Sequence, residues 1–244
     1  MEFRSELLTY LARRAAAGER KLPPMADVAA ELGISVSKLR EQLQVARALG
    51  WVDVRPHVGI KIQPPSPGRA LSLTMRYALA LDRTVFDQIE ELREYIEASY
   101  WIPAARELTE ADKQQLEALL NRAWGLLRDE PPQIPHREHR DLHLTIYCRL
   151  ENSFVRGFLE AYWDAYEVAG LNVYADYAYL ENVWRQHERM VEGILEGDYQ
   201  AGYRALLDHF EILHRRPGES LFATKSRLVD AAMEGKARRE QERA

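Results

Sequence analysis

The sequence predicts a mainly α protein, with an N-terminal winged helix-turn-helix followed by an antiparallel, all-helical bundle. Three observations predict it. Within the first 63 residues, three amphipathic helical patterns precede a short alternation of apolar and polar residues. Three prolines and a glycine then interrupt the pattern at residues 64–68. Beyond them, helical spacing continues almost throughout without a strand signal, which is typical of a helix bundle.

Two domains are expected from length and composition. The chain has 244 residues, 46% of them hydrophobic, which is enough for two packed cores. We place the winged head at residues 1–63, a linker at 64–70, the helical domain at 71–218 and a C-terminal tail at 219–244. The tail is expected to be helical or frayed, because its last residues are highly charged.

The composition also indicates a cellular location. No apolar run approaches the ~18 residues of a membrane-spanning helix. The amphipathic N-terminus lacks the apolar core and cleavage site of a signal peptide. The single cysteine, Cys148, excludes an intramolecular disulfide and fits a reducing compartment. We therefore expect a cytoplasmic protein without a membrane partner.

Each element of the head has a local signal. Apolar spacing and alternation predict helices over residues 3–16, 25–32 and 35–49 and strands over 51–55 and 60–62. Gly33 ends the second helix, because glycine is favoured just after helix C-termini. Ser35 is a suitable N-cap for the third helix, and Gly50 stops it. This order is that of a winged helix-turn-helix.

Five apolar stripes predict the six or seven helices of the bundle. They are Val85, Ile89, Leu92 and Ile96; Leu116, Leu119, Leu120 and Leu127; Phe154, Val155, Phe158, Leu159 and Tyr162; Val183, Met190, Ile194 and Leu195; and Leu206, Phe210 and Leu213. Thr109 precedes the second stripe and is a typical helix cap.

The third helix of the head has the position of a DNA-reading helix. In such motifs its first residues contact base edges, while its flanks and the wing contact phosphates. The predicted DNA-binding residues are Val36, Ser37, Lys38, Arg40 and Gln42 of this helix and Arg55, His57, Gly59 and Lys61 of the wing. The predicted partner is double-stranded DNA. The alternative is a small helical domain with an exposed amphipathic helix, because helix-turn-helix signals are short.

The charge distribution supports different functions for the two domains. The net charge of the whole chain is −5, which by itself does not favour nucleic-acid binding. Residues 1–65, however, have a balance of +3 and the remainder a balance of −8. A mildly basic head on an acidic body fits a DNA-binding domain joined to a domain with another function.

Four histidines of the helical domain are candidate metal ligands. His139 and His143 are four residues apart, which puts both rings on one helix face. His187 and His209 flank a Gly-Asp break at similar distances, so antiparallel helices would bring their rings to the same level. Apolar residues share the face of each, so all four are expected to point inward. They predict one divalent transition metal per chain, with Zn and Ni as first candidates.

The histidines also allow other assignments. Without a metal, four buried neutral histidines would each need hydrogen-bond partners. His136 is a spare candidate ligand, whereas His57 and His214 are expected at the surface. Asp141 is two residues from His139 and therefore lies on another face of the helix.

The head resembles that of GntR-family transcription regulators. The resemblance spans residues 26–62, and the matching residues are Leu32-Gly33-Ile34-Ser35, Leu39-Arg40-Glu41, Leu43, Gly50-Trp51-Val52 and Gly59. Val36-Ser37-Lys38 departs from the Arg-Thr-Pro of the family, and the missing arginine is one that the family uses on DNA. The resemblance therefore implies an operator-binding head, but it does not carry over an operator sequence.

The remainder is similar to the FCD effector domain of the FadR subgroup of that family. Arg93 and Glu97 stand in ELREYIE like the family's Arg-x-x-Leu-Glu, and the 22-residue interval from His187 to His209 is the family's. The resemblance implies a homodimer whose domain binds a metal through one Asp and three His. The Asp position, four residues before the first family histidine, is occupied here by His139.

The resemblance also implies an effector. Four neutral imidazoles would leave a divalent ion its full charge, which favours an anionic ligand and disfavours Mg and Ca. The family counterpart of Arg93 points toward the bound ligand, and a guanidinium suits a carboxylate. The alternative for Arg93 is an exposed i,i+4 pair with Glu97.

The expected function is DNA-binding transcription regulation controlled by a small organic acid, without catalysis. Three alternatives stay open. The first is a histidine-ligated metalloenzyme, and the second is a regulator that responds to the metal alone. The third is a metal-free regulator that binds an acyl or other large ligand.

Overall fold

The computed structural model describes residues 5–64, 66–170 and 176–214, which form ten helices and one two-stranded sheet. The elements are α1 (Glu6–Ala16), α2 (Met25–Leu32), α3 (Val36–Ala48), β1 (Val52–Arg55), β2 (Gly59–Ile62), α4 (Gly68–Leu81), α5 (Val85–Arg106), α6 (Glu110–Arg128), α7 (His136–Ile146), α8 (Ser153–Ala169), α9 (Tyr177–Glu196) and α10 (Tyr199–His214). The predicted mainly α fold class is confirmed. None of these helices is long and apolar enough to cross a membrane.

The chain divides into two compact units. One contains residues 1–77 and 150–165, and the other contains residues 78–149 and 166 onward. The predicted domain boundaries stay a prediction, and the predicted tail at 219–244 lies outside the described residues.

The winged head forms as its local signals predict. Ser35 caps α3, its Oγ accepting a hydrogen bond from the Lys38 backbone N–H at 3.1 Å. Gly33 follows α2 with a φ of +64°, in the left-handed region that glycine tolerates best. The core of the head consists of Leu7, Leu11, Leu22, Val28, Ala29, Leu39, Leu43, Ala46, Val52, Ile60 and Ile62.

The wing is an antiparallel hairpin with an additional partner. Val52 lies opposite Ile62 in the β1–β2 register, and both side chains are buried. The loop between α1 and α2 also pairs with β2. Leu22 N donates to Ile60 O at 2.9 Å, and Ile62 N donates to Arg20 O at 3.0 Å. This pairing is too short to give an alternating pattern, so sequence analysis did not predict it.

Helix α4 begins inside the segment predicted as a linker. Its first turn is already formed at Pro67, whose carbonyl accepts from the Leu71 backbone N–H at 2.9 Å. Proline is tolerated at this end of a helix, because the first N–H groups have no intrahelical partner. In the same unit the backbone of α8 lies close to the start of α4. A Cβ on Gly157 of α8 would lie 2.8 Å from Gly68 N.

Helix α5 buries a different face from the one predicted. Ile89 is buried, but Leu92 of the predicted stripe is 48% exposed. The buried face runs in steps of four residues through Ile89, Arg93, Glu97 and Trp101. Counting only apolar residues selected the wrong stripe, because two of the buried residues are charged.

Helices α9 and α10 form a tight antiparallel pair. Gly197 ends α9 with a φ of +76°, in the left-handed region. A Cβ on Gly193 would lie 2.6 Å from Gly202 N, so only glycine permits this approach of the two backbones. Trp101 of α5 fixes the start of α10 by donating from Nε1 to Tyr199 O at 2.8 Å.

Candidate functional site

The structure brings the four predicted histidines together inside the second unit. The residues are His139 and His143 of α7, His187 of α9 and His209 of α10, and we call them the histidine cluster. The ring centroids lie 4.4–5.7 Å apart in all six pairs. One nitrogen from each ring can be chosen so that all four atoms lie within 4.8 Å of one another. His143 Nε2 and His187 Nε2 are 3.1 Å apart.

Burial favours the neutral form of three of these imidazoles. The four residues are between 0 and 8% exposed. Burial lowers the pKa of His139, His143 and His187, and the positive charge of nearby Arg93 lowers each further. Contacts to Glu97 oppose this shift at His143, as does the Val183 backbone at His187. Neutral imidazole is the form that binds metal ions, so burial favours the protonation state that metal binding requires.

A buried ion pair lies beside the histidine cluster. Arg93 Nη2 and Glu97 Oε2 are 3.0 Å apart, and both residues are 0% exposed. Arg93 Nη2 also lies 3.4 Å from each ring nitrogen of His143. Burial favours the neutral form of Glu97, but Arg93 and His143 outweigh it and lower the pKa of the carboxyl to about 2. The alternative of an exposed surface pair is therefore wrong.

Glu97 also determines which nitrogen of His143 faces the histidine cluster. Its Oε1 is 3.2 Å from His143 Nδ1. An ionised carboxylate is only an acceptor, so it favours the tautomer that carries the proton on Nδ1. The lone pair is then on Nε2, the nitrogen nearest to His187. A carboxylate behind a ligating histidine is a recurrent second layer of metal sites. Sequence analysis missed this role, because the four-residue spacing from Arg93 is equally typical of an exposed helix face.

Aromatic side chains enclose the histidine cluster. The Trp184 ring is 4.8 Å from the His187 ring, and the Tyr166 ring is 6.2 Å from the His139 ring. His136, the spare candidate, stacks on Tyr166 with ring centroids 5.8 Å apart, and its Nε2 lies 3.3 Å from Glu167 Oε1. His136 therefore contacts the enclosing wall and is not among the four converging histidines.

The donor set fits a transition metal. Four nitrogens at about 2.0–2.1 Å from one ion are at most about 4.2 Å apart. In a tetrahedral site the four nitrogens are about 3.4 Å apart. The chosen nitrogens of the histidine cluster lie within 4.8 Å of one another, so the rings would have to move closer together around an ion. Imidazole suits Zn, Ni, Co and Cu, whereas Mg and Ca require oxygen ligands.

Most predicted DNA-binding residues lie on the surface of the head. Val36, Ser37, Lys38 and Arg40 of α3 and Arg55, His57, Gly59 and Lys61 of the wing are exposed. Arg55 is less available for a phosphate contact than an unpaired arginine, because its Nε donates to Asp53 Oδ2 at 2.7 Å. His57 is at the wing tip with a φ of +61°, and the predicted surface position of its side chain matches the structure. His214 lies at the end of the described residues, and its side chain is not described.

Gln42 points toward α1 instead of toward open solvent. Its Oε1 accepts from Ser5 Oγ and from the Leu7 backbone N–H, both at 2.8 Å. Its Nε2 donates to Glu6 Oε2 at 2.5 Å. A base contact from Gln42 stays a prediction, and it would require these bonds to break.

Comparison with known proteins decides the family. The FCD domain matches residues 88–212, just over half of the chain, and this match contains the histidine cluster and the buried ion pair. The chain belongs to the FCD-domain family. With its winged head, it is a GntR-type transcriptional regulator with an FCD effector domain, as the sequence predicted.

Individual relatives of this FCD regulator are distant. Two regulatory proteins named for the L-lactate dehydrogenase operon, from Escherichia coli K12 and Shigella flexneri, are each 24% identical over 201 residues, covering 80% of this chain and 76% of theirs. The solved structure of Streptococcus agalactiae GntR superposes with a TM-score of 0.59 at 19% identity, covering 80% of this chain and 88% of that one. The two sequence relatives are named as regulatory proteins and not as enzymes, which does not favour the metalloenzyme alternative.

Proposed function

We propose that this FCD regulator binds operator DNA through α3 and the wing and responds to a small organic acid at a metal centre in its helical domain. The histidine cluster would hold one divalent transition metal per chain, Zn or Ni first. The observation that carries the proposal is the convergence of four buried imidazoles within 4.8 Å. We further propose a cytoplasmic homodimer, in which two heads bind two half-sites related by the dimer symmetry.

The charges around the histidine cluster favour an anionic effector. Arg93 and Glu97 carry opposite charges and cancel each other. The four imidazoles are neutral ligands, unlike the Asp-containing set of the family, because His139 stands at the Asp position. A bound divalent ion would keep its full charge, and an anionic oxygen would join it by expanding its coordination beyond the four imidazoles. Arg93, whose charge Glu97 balances, lies 3.4 Å from His143 and would act as a hydrogen-bond donor to this oxygen.

The curated relatives suggest the first acid to try. They are named for an L-lactate dehydrogenase operon, and L-lactate is a short 2-hydroxy acid. A carboxylate of this size suits both a metal position and the planar donors of Arg93. We therefore propose short 2-hydroxy carboxylates as the effector class.

Calorimetric titration of the zinc-loaded, full-length protein with L-lactate tests this assignment. Arg93→Lys keeps the charge but loses the guanidinium fork, so we expect at least about tenfold weaker binding. Arg137→Lys is the matched control, because Arg137 lies on α7 with its side chain 87% exposed. Equal affinity of the metal-free protein for L-lactate would contradict a metal-bound effector. A change of DNA affinity with zinc alone, without any effect of carboxylates, would favour the metal-responsive alternative.

A further inference from the structure

Glu6, in the first turn of α1, binds two of the residues predicted to read DNA. Glu6 Oε1 lies 2.5 Å from Lys38 Nζ, and Glu6 Oε2 accepts from Gln42 Nε2 at 2.5 Å. These contacts join residues that are more than 30 positions apart in the chain. One carboxylate therefore neutralises Lys38, a cation among the predicted DNA-binding residues of α3, and occupies the amide of Gln42.

The ion pair between Glu6 and Lys38 is exposed to solvent and can break without loss of the fold. The Glu6 side chain is 39% exposed and that of Lys38 is 50% exposed. Water and salt screen such pairs, so they contribute little to stability. The attachment of α1 to α3 also has other support, because Leu7 is fully buried and Gln42 Oε1 accepts from Leu7 N and Ser5 Oγ. Loss of the Glu6 charge should therefore leave the head folded.

We propose that Glu6 is an internal competitor of DNA, which occupies Lys38 and Gln42 in the free head and must release Lys38 before this amine can contact a duplex. The inference rests on the proposed DNA binding through α3. In this account Glu6 limits the affinity of the head for every duplex. It also determines whether Lys38 contributes to the choice of operator.

The increase in DNA affinity expected on removal of the Glu6 charge follows from counterion release. Each phosphate contact contributes a slope of about −0.9 to the dependence of log affinity on log salt. At about 0.15 M salt, one additional contact corresponds to an affinity gain of roughly fivefold. A freed Lys38 amine should therefore make binding tighter by this factor and steeper in salt by about 0.9.

Fluorescence anisotropy with a labelled, mixed-sequence 30-bp duplex measures both quantities in the full-length protein. The variants are Glu6→Gln, Lys38→Ala and the double variant. Glu41→Gln is the matched control, because it removes the same charge from an exposed residue of α3. Within the described residues the Glu41 side chain has no hydrogen bond or ion pair. Thermal unfolding verifies that each variant is folded.

The double variant separates competition from a general charge effect. We expect Glu6→Gln to bind the duplex about fivefold more tightly than the wild type, with a steeper dependence on salt. In the Lys38→Ala background, the same substitution should increase the affinity no more than Glu41→Gln does in the wild type. Unchanged or weaker binding of Glu6→Gln would overturn the inference, as would an equal gain in the Lys38→Ala background. If neither the wild type nor any variant binds a duplex, the proposed DNA-binding function itself fails.

Discussion

Glu97 connects the buried ion pair to the histidine cluster. Its carboxylate contacts Arg93 on one oxygen and His143 on the other, at 3.0 and 3.2 Å. Sequence analysis predicted the four histidines from their spacing and apolar neighbours. It did not predict the burial of Glu97, because the spacing of Arg93 and Glu97 is equally common on exposed helix faces.

Replacement of Glu97 should weaken zinc binding. Loss of a carboxylate behind a ligating histidine typically reduces metal affinity 10- to 100-fold. We expect about a tenfold loss in Glu97→Gln, which keeps an acceptor for His143 Nδ1, and a larger loss in Glu97→Ala. Competition with a chromophoric chelator measures the affinity. Glu91→Gln, an exposed change on the same helix, is the control. Unchanged zinc affinity in Glu97→Ala would contradict the positioning role.

At the scale of elements, the α9–α10 pair places two of the four rings. The His187 and His209 ring centroids are 4.4 Å apart, the shortest separation within the histidine cluster. The Gly-Asp break predicted the antiparallel turn, since glycine commonly ends helices. The sequence did not reveal how closely the backbones approach, because the partner of each glycine is set by packing.

A methyl group added at Gly202 of α10 should lower the stability of the protein. A Cβ on Gly202 would lie 2.7 Å from Trp101 Cζ2, so we expect Gly202→Ala to destabilise the protein by about 1–3 kcal/mol. Gly125→Ala is the control, because nothing lies within 4 Å of a Cβ there and alanine is the better helix former. Urea unfolding compares the two variants. A fully stable Gly202→Ala would show that the helices are less tightly packed than described.

The start of α6 gives a prediction about pH. Thr109 and Asp112 form the predicted helix cap, extended into a reciprocal capping box. Hydrogen bonds from Arg149 and Thr109 lower the pKa of Asp112 despite its partial burial. A lowered folded-state pKa gives stability that is present above the ordinary Asp value and is lost as the pH falls through the folded one.

Asp112→Asn should therefore be less stable than the wild type at neutral pH, by about 1 kcal/mol for the lost cap. The difference should stay constant from pH 7 to about 5 and shrink from there to pH 3, because the unfolded wild type then takes up a proton at Asp112 while the folded carboxylate stays ionised. Urea midpoints across this range measure it. A difference that grows toward low pH would contradict the assigned role of the carboxylate.

At the scale of the whole molecule, local signals predicted most of the elements and packing determined the rest. Ser35, Gly33 and Thr109 marked helix ends because capping depends on neighbouring residues alone. The pairing of the 20–22 segment with the wing and the contact of Glu6 with Lys38 depend on the tertiary fold. No periodicity within one helix could show either contact.

The central claim is that the four histidines hold one transition metal, and metal analysis of the purified, tag-free protein tests it most directly. After loading with Zn or Ni and desalting, we expect about one ion per chain in the wild type. His187→Ala and His139→Ala should lose it. His136→Ala should retain it, because His136 contacts Tyr166 and Glu167 instead. Absence of bound metal in the wild type under every loading condition would contradict the metal centre and leave the regulator without the proposed effector site.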